Sequence, residues 1–180
     1  MDTTVDKPGV FNDPRYKELA HNLIILKEDL VYRWEINGVE NRLTVPVGTI
    51  SDGASIPVWA TFVTAILPGF ETIYPYGVHL FATFVHDIIW KYRGQLPVGM
   101  HQYFNKQTQK WEDAAYNKEG HPIWTFKTSN KLFARHLRAL KVGKKERRAM
   151  FLAVSSPIGW WNWRTGKLPN DARPKKLKIA

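Results

Sequence analysis

The chain has 180 residues, 44% of them apolar and 23% charged, with a net charge of +10. That is the size and balance of one globular domain with its own core. Cysteine is absent, which excludes disulfides and thiolate metal sites and fits synthesis in a reducing cytoplasm.

Taken in order, residues 1–22 are polar and turn-rich (Lys7-Pro8-Gly9, Asn12-Asp13-Pro14) and read as an N-terminal arm. They begin without the basic and apolar regions of a signal peptide, so none is expected. From Leu23 the pattern turns to strand. Leu23–Leu26 is a short apolar run. Leu30–Ile36 and Val39–Val45 flank Asn37-Gly38, a strong hairpin signal, because both central residues of a type I′ turn need positive φ. Tyr32, Trp34 and Ile36 share one face of the first strand, and Leu43 and Val45 share one face of the second.

The loop Ser51-Asp52-Gly53-Ala54-Ser55 follows. Gly53 permits a close backbone approach, Ser55 is a candidate N-cap, and Pro57 suits the first turn of a helix running to about Ile66. Leu67-Pro68-Gly69 stops that helix. The next helix is expected from about Tyr76 to Lys91, with Val78, Ala82, Val85 and Ile89 on one stripe. It is apolar nearly all round, so it should lie buried at the centre of the domain, with His79, His86 and Asp87 satisfied internally. Neither Val58–Leu67 nor Val78–Trp90 is long and apolar enough for a transmembrane segment.

Residues 95–127 read as an insertion forming a second, projecting hairpin, with strand-like pieces at Gln102–Phe104 and Ile123–Phe126 and a turn at Asn117–Gly120. Ser129 is the expected cap of a helix to about Val142, with Leu132, Phe133, Leu137 and Leu140 on its apolar stripe and Gly143 as its stop. Lys144–Val154 is a further helix packing Ala149, Met150, Leu152 and Ala153. The cluster Trp160-Trp161-Asn162-Trp163 closes the domain, and 164–180 form a basic tail. From Lys141 onward eleven Lys/Arg face two acids, so almost all the net charge sits at this end. Such an end suits an anionic surface, nucleic acid or an acidic partner, or serves only solubility. The fold class is therefore α+β: a small antiparallel hairpin sheet packed on about four helices, with an inserted hairpin.

The chemistry-bearing residues gather at two places. His86 and Asp87 can serve one site, with His86 as base or ligand and Asp87 as a ligand of a divalent metal. Asp52 is the natural third member, accepting from His86 and fixing its tautomer. Alternatively the pair anchors the Ser51, Asp52, Gly53 and Ser55 loop through buried hydrogen bonds. That loop lacks the lysine of a phosphate-binding loop. Arg147 and Arg148 could hold phosphate, and Trp160, Trp161 and Trp163 could stack on bases or sugars or enter an interface, against solvated and core roles respectively.

Gly48-Thr49-Ile50-Ser51-Asp52-Gly53-Ala54-Ser55-Ile56-Pro57, then His86-Asp87 in an apolar helix, then Arg147-Arg148-Ala149-Met150 and Gly159-Trp160, resemble the domain-of-unknown-function family 1353 (DUF1353). The resemblance runs from Val45 to Trp163 apart from Gln95–Lys127, which is longer than usual. It implies an origin in tailed bacteriophages or prophages and brings no settled activity. The family usually shows an aspartate in an Ala-Asp-x-x-Phe pattern where this chain has Ser129-Asn130-Lys131-Leu132-Phe133. Asn130 weakens a catalytic or ligand role there and preserves a hydrogen-bonding one. The His-Asp pair is also locally similar to secreted phospholipases A2, but this chain lacks their cysteines and their calcium loop.

Two functional expectations follow. The first is a phage-encoded accessory protein, a virion or tail-associated component made in the host cytoplasm and held by other phage structural proteins. The second is a metal-assisted hydrolase of lipid or cell-envelope esters or amides, with a His-Asp site. Nucleic-acid binding by the basic end is a third reading and predicts steep salt dependence.

Overall fold

The computed structural model describes residues 9–20, 23–51, 79–114, 120 and 123–165. The helix expected at Pro57–Ile66, the loop residues Asp52 to Ser55 and the basic tail from 166 lie outside them. The described residues form two antiparallel sheets and four helices, an α+β fold. The strands are β1 (Val10–Phe11), β2 (Tyr16–Ala20), β3 (Leu23–Leu26), β4 (Leu30–Ile36), β5 (Val39–Val45), β6 (Ile50–Ser51), β7 (His101–Asn105) and β8 (Lys110–Asp113). The helices are α1 (Leu80–Lys91), α2 (Phe126–Ala139), α3 (Lys144–Val154) and α4 (Pro157–Thr165).

The larger sheet has the order β1-β4-β5-β7-β8, and the smaller has β2-β3-β6. The β4–β5 hairpin closes at Asn37-Gly38, with φ of 50° and 74°, in register from Leu30↔Val45 to Ile36↔Val39. Positive φ at both positions is what the type I′ turn demands. Leu30, Tyr32, Trp34, Leu43 and Val45 are buried, as the alternation requires.

The segment expected to be a free arm instead supplies β1 and β2. Asn12 holds the entry in place by extending the ladder with its side chain. Its Oδ1 accepts from the Val31 N–H (2.6 Å) and its Nδ2 donates to the Asp29 carbonyl (2.8 Å). A polar strand needs only an apolar neighbour to pair with, and Leu23–Leu26 provides one for Tyr16–Ala20.

The second hairpin also differs from expectation. The partner of His101–Asn105 is Lys110–Asp113, not Ile123–Phe126. The intervening turn is fixed by Asn105, whose Oδ1 accepts from the backbone of Gln107 (2.9 Å) and Thr108 (3.3 Å). The hairpin does not project: β7 pairs with β5 and extends the main sheet.

Helix α1 is the centre of the molecule, as its all-round apolarity implies. Only Phe81 and Lys91 of its residues are not buried. It packs against β5, β6 and α2. Its first helical residue is Leu80, later than the expected Tyr76. The following turn is built on Gly94, at φ +78°, where an added Cβ would collide with the Trp124 carbonyl oxygen. Gly94→Ala should cost on the order of 2 kcal/mol or more, because it combines left-handed strain with that collision. Equilibrium urea unfolding measures the cost.

Helix α2 starts at Phe126, not at Ser129. Thr125 is the N-cap and Thr128 completes a reciprocal capping box. Ser129 is fully buried one turn inside the helix, where its Oγ accepts from Trp90 Nε1 (3.1 Å). In α3, Met150 and Ala153 are buried and Ala149 packs beside them. Leu152, expected to pack with them, is 59% exposed. It lies about 200° around the helix from Met150. The Trp cluster forms part of helix α4, which packs on the end of α3.

Candidate functional site

Ser51, His86, Asp87 and Asn130 meet at one buried place. Strand β6 brings Ser51, α1 brings His86 and Asp87, and α2 brings Asn130. All four are at most 6% exposed. Ser51 Oγ donates to Asp87 Oδ2 (2.7 Å). This bond pins the strand that opens the Ser51–Ser55 loop to the central helix. A charge-assisted bond in a low-dielectric site is among the stronger ones available.

His86 faces the other way. Its ring packs on Trp90 and Phe133, with centroids 4.4 and 4.7 Å away. Its Nε2 lies 3.1 Å from Asn130 Oδ1. The Asn130 amide also bonds to the Val154 carbonyl (3.3 Å) and the Ser155 hydroxyl (3.4 Å) through Nδ2. A backbone carbonyl only accepts, so Nδ2 must point to Val154 and Oδ1 must point to His86. His86 Nε2 is therefore the protonated nitrogen and donates to Asn130. The remaining nitrogen, Nδ1, is 3.7 Å from Asp87 Oδ1, beyond hydrogen-bond range.

The chemical consequence is specific. In a catalytic His-carboxylate pair the acid holds one nitrogen and leaves the other bare to take a proton. Here the nitrogen remote from Asp87 is occupied as a donor. Asn130 ties α1, α2 and the end of α3 together through one side chain.

The expected divalent-metal centre fits these residues poorly. Asp87 and His86 bring donors near each other, but structural and catalytic sites use three or four ligands. Among the described residues no group of three or more His, Cys, Asp or Glu comes together. Asp52, the expected orienter of His86, lies outside the described residues with Gly53 and Ser55. His79 is not part of the cluster; it is buried, with Nδ1 3.9 Å from Glu146 Oε1. Arg147 is half-buried and Arg148 exposed on α3. Trp163 packs edge-on to Trp90, at 6.0 Å, against the core. Trp160 and Trp161 are 45% and 62% exposed.

Sequence reasoning passed over two buried histidines. His136 is fully buried, edge-on to Tyr32 at 3.9 Å. Burial holds it well below the usual imidazole range, and nearby His86 pushes the same way. His101 stacks on Trp34 at 5.2 Å. Burial pushes it down to about 4, against an opposing pull from Asp113 and the Ala114 backbone. Tyr32 is moved up to about 12, again by burial. No periodicity singles out these histidines, because each is polar in sequence and apolar only in its surroundings.

A folded-state value below the unfolded one means that the unfolded chain binds the proton first. The stability tied to a neutral His101 is complete above about pH 6.5. It is lost as pH falls toward 4. The shift corresponds to roughly 3 kcal/mol. The melting temperature should fall as pH is lowered from 7 to 4.5, and His101→Phe should flatten that slope. Melts of both proteins across the range measure it.

A family model described as "Protein of unknown function (DUF1353)" matches residues 24–154. The match spans Ser51, His86, Asp87 and Asn130, together with the second hairpin. No curated protein and no solved structure matches the chain.

Proposed function

The chain belongs to the DUF1353 family, and on that premise we propose that it is a phage-encoded accessory protein, a virion or tail-associated component that works through protein–protein contacts. One observation carries the reading: the polar cluster of this fold is spent inside it, while apolar side chains are spent outside. Ser51, His86, Asp87 and Asn130 are buried and bonded in two pairs, Ser51 with Asp87 and His86 with Asn130. Leu152, Ile158, Trp160 and Trp161 on the last two helices are 45–62% exposed. Large aromatic and aliphatic side chains left in solvent suit a contact surface, with tryptophan as the typical anchor. The basic end beyond them adds charge for an acidic partner, an anionic surface or nucleic acid.

The metal-assisted hydrolase reading draws no support from this geometry, since Asn130 takes up His86 Nε2. Among the described residues no helix is long and apolar enough to cross a membrane.

Particles from a host carrying the gene test the proposal. After density-gradient purification, peptides of this chain should be present at a fixed ratio to the major structural proteins. A Trp160→Ser, Trp161→Ser variant should melt like the parent and drop out of the particles. Recovery of the parent chain only in the particle-free fraction would overturn the reading.

A further inference from the structure

A second site lies on the opposite side of α2 from His86. Lys131, Arg135 and Arg138 follow one another at i, i+4 and i+7, which puts them on one stripe of the helix. All three are exposed. They line a cleft of about 610 Å³ between α2 and the main sheet. That volume is in the range of small-ligand sites, about 300–1,000 Å³.

The wall opposite the cations is aromatic. Trp34, His101 and Trp124 form a continuous set, with Trp34 stacked on His101 at 20° and Trp124 5.2 Å from His101. Ile36 and Leu132 fill the space around them. Among the described residues no lining residue is acidic, so the described wall of the cleft carries a net positive charge.

The indoles supply an independent observation. Trp34 and Trp124 are 6% and 8% exposed, and neither Nε1–H has a hydrogen-bond partner among the described residues. An unsatisfied buried donor costs about 1–3 kcal/mol, and such donors in a native fold call for an explanation. Two of them behind one cleft, under a basic rim, are explained together by a ligand rich in acceptors.

We propose that this cleft binds a nucleotide, with the base against the Trp34–His101–Trp124 wall and the phosphate at Lys131, Arg135 and Arg138. A flat heteroaromatic ring brings acceptors for the indole N–H groups and apolar surface for Ile36 and Leu132. A phosphate matches the guanidinium forks of Arg135 and Arg138. His101, held neutral by burial, adds no charge that would disfavour an uncharged base. The ligand is either a free mononucleotide or one unit of a single strand, since both present the same chemistry to a cleft of this size.

Calorimetric titration of the full chain tests the proposal. The probes are the four ribonucleoside 5′-monophosphates, the matching nucleosides, inorganic phosphate and an eight-residue oligothymidylate. At least one monophosphate or the strand should bind with Kd near or below about 100 μM, a modest affinity for a ligand using both hydrogen bonds and charge. The nucleoside and inorganic phosphate should each bind at least tenfold more weakly. A Lys131→Glu, Arg138→Glu variant, altered only at exposed positions, should melt like the parent and bind at least tenfold more weakly. Arg135→Ala is the second variant and should weaken binding in the same direction. Binding by the monophosphate assigns a free nucleotide; binding by the strand alone assigns a nucleic-acid unit. No binding by either at millimolar concentration would overturn the proposal. So would equal binding of inorganic phosphate, or affinity unchanged in both variants.

Discussion

Asp87→Ala is expected to lower the melting temperature by about 10 °C, the equivalent of roughly 4 kcal/mol in a domain of this size. Asp87 is 6% exposed and its Oδ2 accepts from Ser51 Oγ at 2.7 Å. Its removal deletes a charge-assisted bond and leaves the Ser51 hydroxyl, itself 3% exposed, without an acceptor. Each of these losses is of order 1.5–3 kcal/mol. Ser51→Ala should also be costly, because it takes the Ser51 donor from a buried carboxylate and Nδ1 of His86, bare in this tautomer, has no proton to give in its place. The double variant should cost less than the sum of the two single changes, since both remove the same bond. Chemical denaturation of the four proteins measures the coupling. Strict additivity would mean that the Ser51–Asp87 bond is not a stabilising contact.

Asn130→Ala is expected to be as damaging, at about 4 kcal/mol, for a different reason. One amide serves three partners: His86 Nε2, the Val154 carbonyl and the Ser155 hydroxyl. Truncation strands a buried imidazole N–H and loosens the end of α3 from α2. The substitution Asn130→Asp replaces the amide by a carboxyl group of the same shape. It keeps an acceptor for His86 but gives Val154 a group that cannot donate while ionised. Its stability should fall between parent and Ala, and it should rise relative to the parent as pH is lowered and the carboxyl takes up a proton. Thermal melts from pH 8 to pH 5 check the order. An Asn130→Asp variant as stable as the parent at pH 8 would show that the Val154 bond contributes nothing.

The parts of the fold legible in sequence are the local ones. Asn37-Gly38 declares its turn because positive φ is a property of two residues. Helix α1 declares its depth because Leu80–Trp90 is apolar on every side. Most of the misreadings come from distant partners. Ser129 resembles a cap, but its hydroxyl is taken by Trp90, thirty-nine residues away in sequence. Ile123–Phe126 resembles a strand, but β7 already has neighbours in β5 and β8. Leu152 resembles a core residue until Met150 and Ala153 set the buried side of α3.

The same division runs through the two sites. His86-Asp87 stands out in sequence as two polar residues inside an apolar helix. Its partners do not, because Ser51 and Asn130 are thirty-six and forty-four residues away from their respective bonding partners. The cleft is less legible still. Its cations follow a helical period, but its aromatic wall joins residues from β4, β7 and the segment before α2. Only the pairing of β5 with β7 brings Trp34 and His101 together.

Whether His86 anchors the fold or waits as a base comes down to the proton on one nitrogen. Nitrogen-15 NMR of the imidazole side chains in the folded protein at pH 7.5 reads it directly, with His86→Gln used to assign the signal. A protonated Nε2 is the result required by a ring that donates to Asn130 and holds α1 to α2. A bare Nε2, carrying the lone pair that a general base needs, would contradict it.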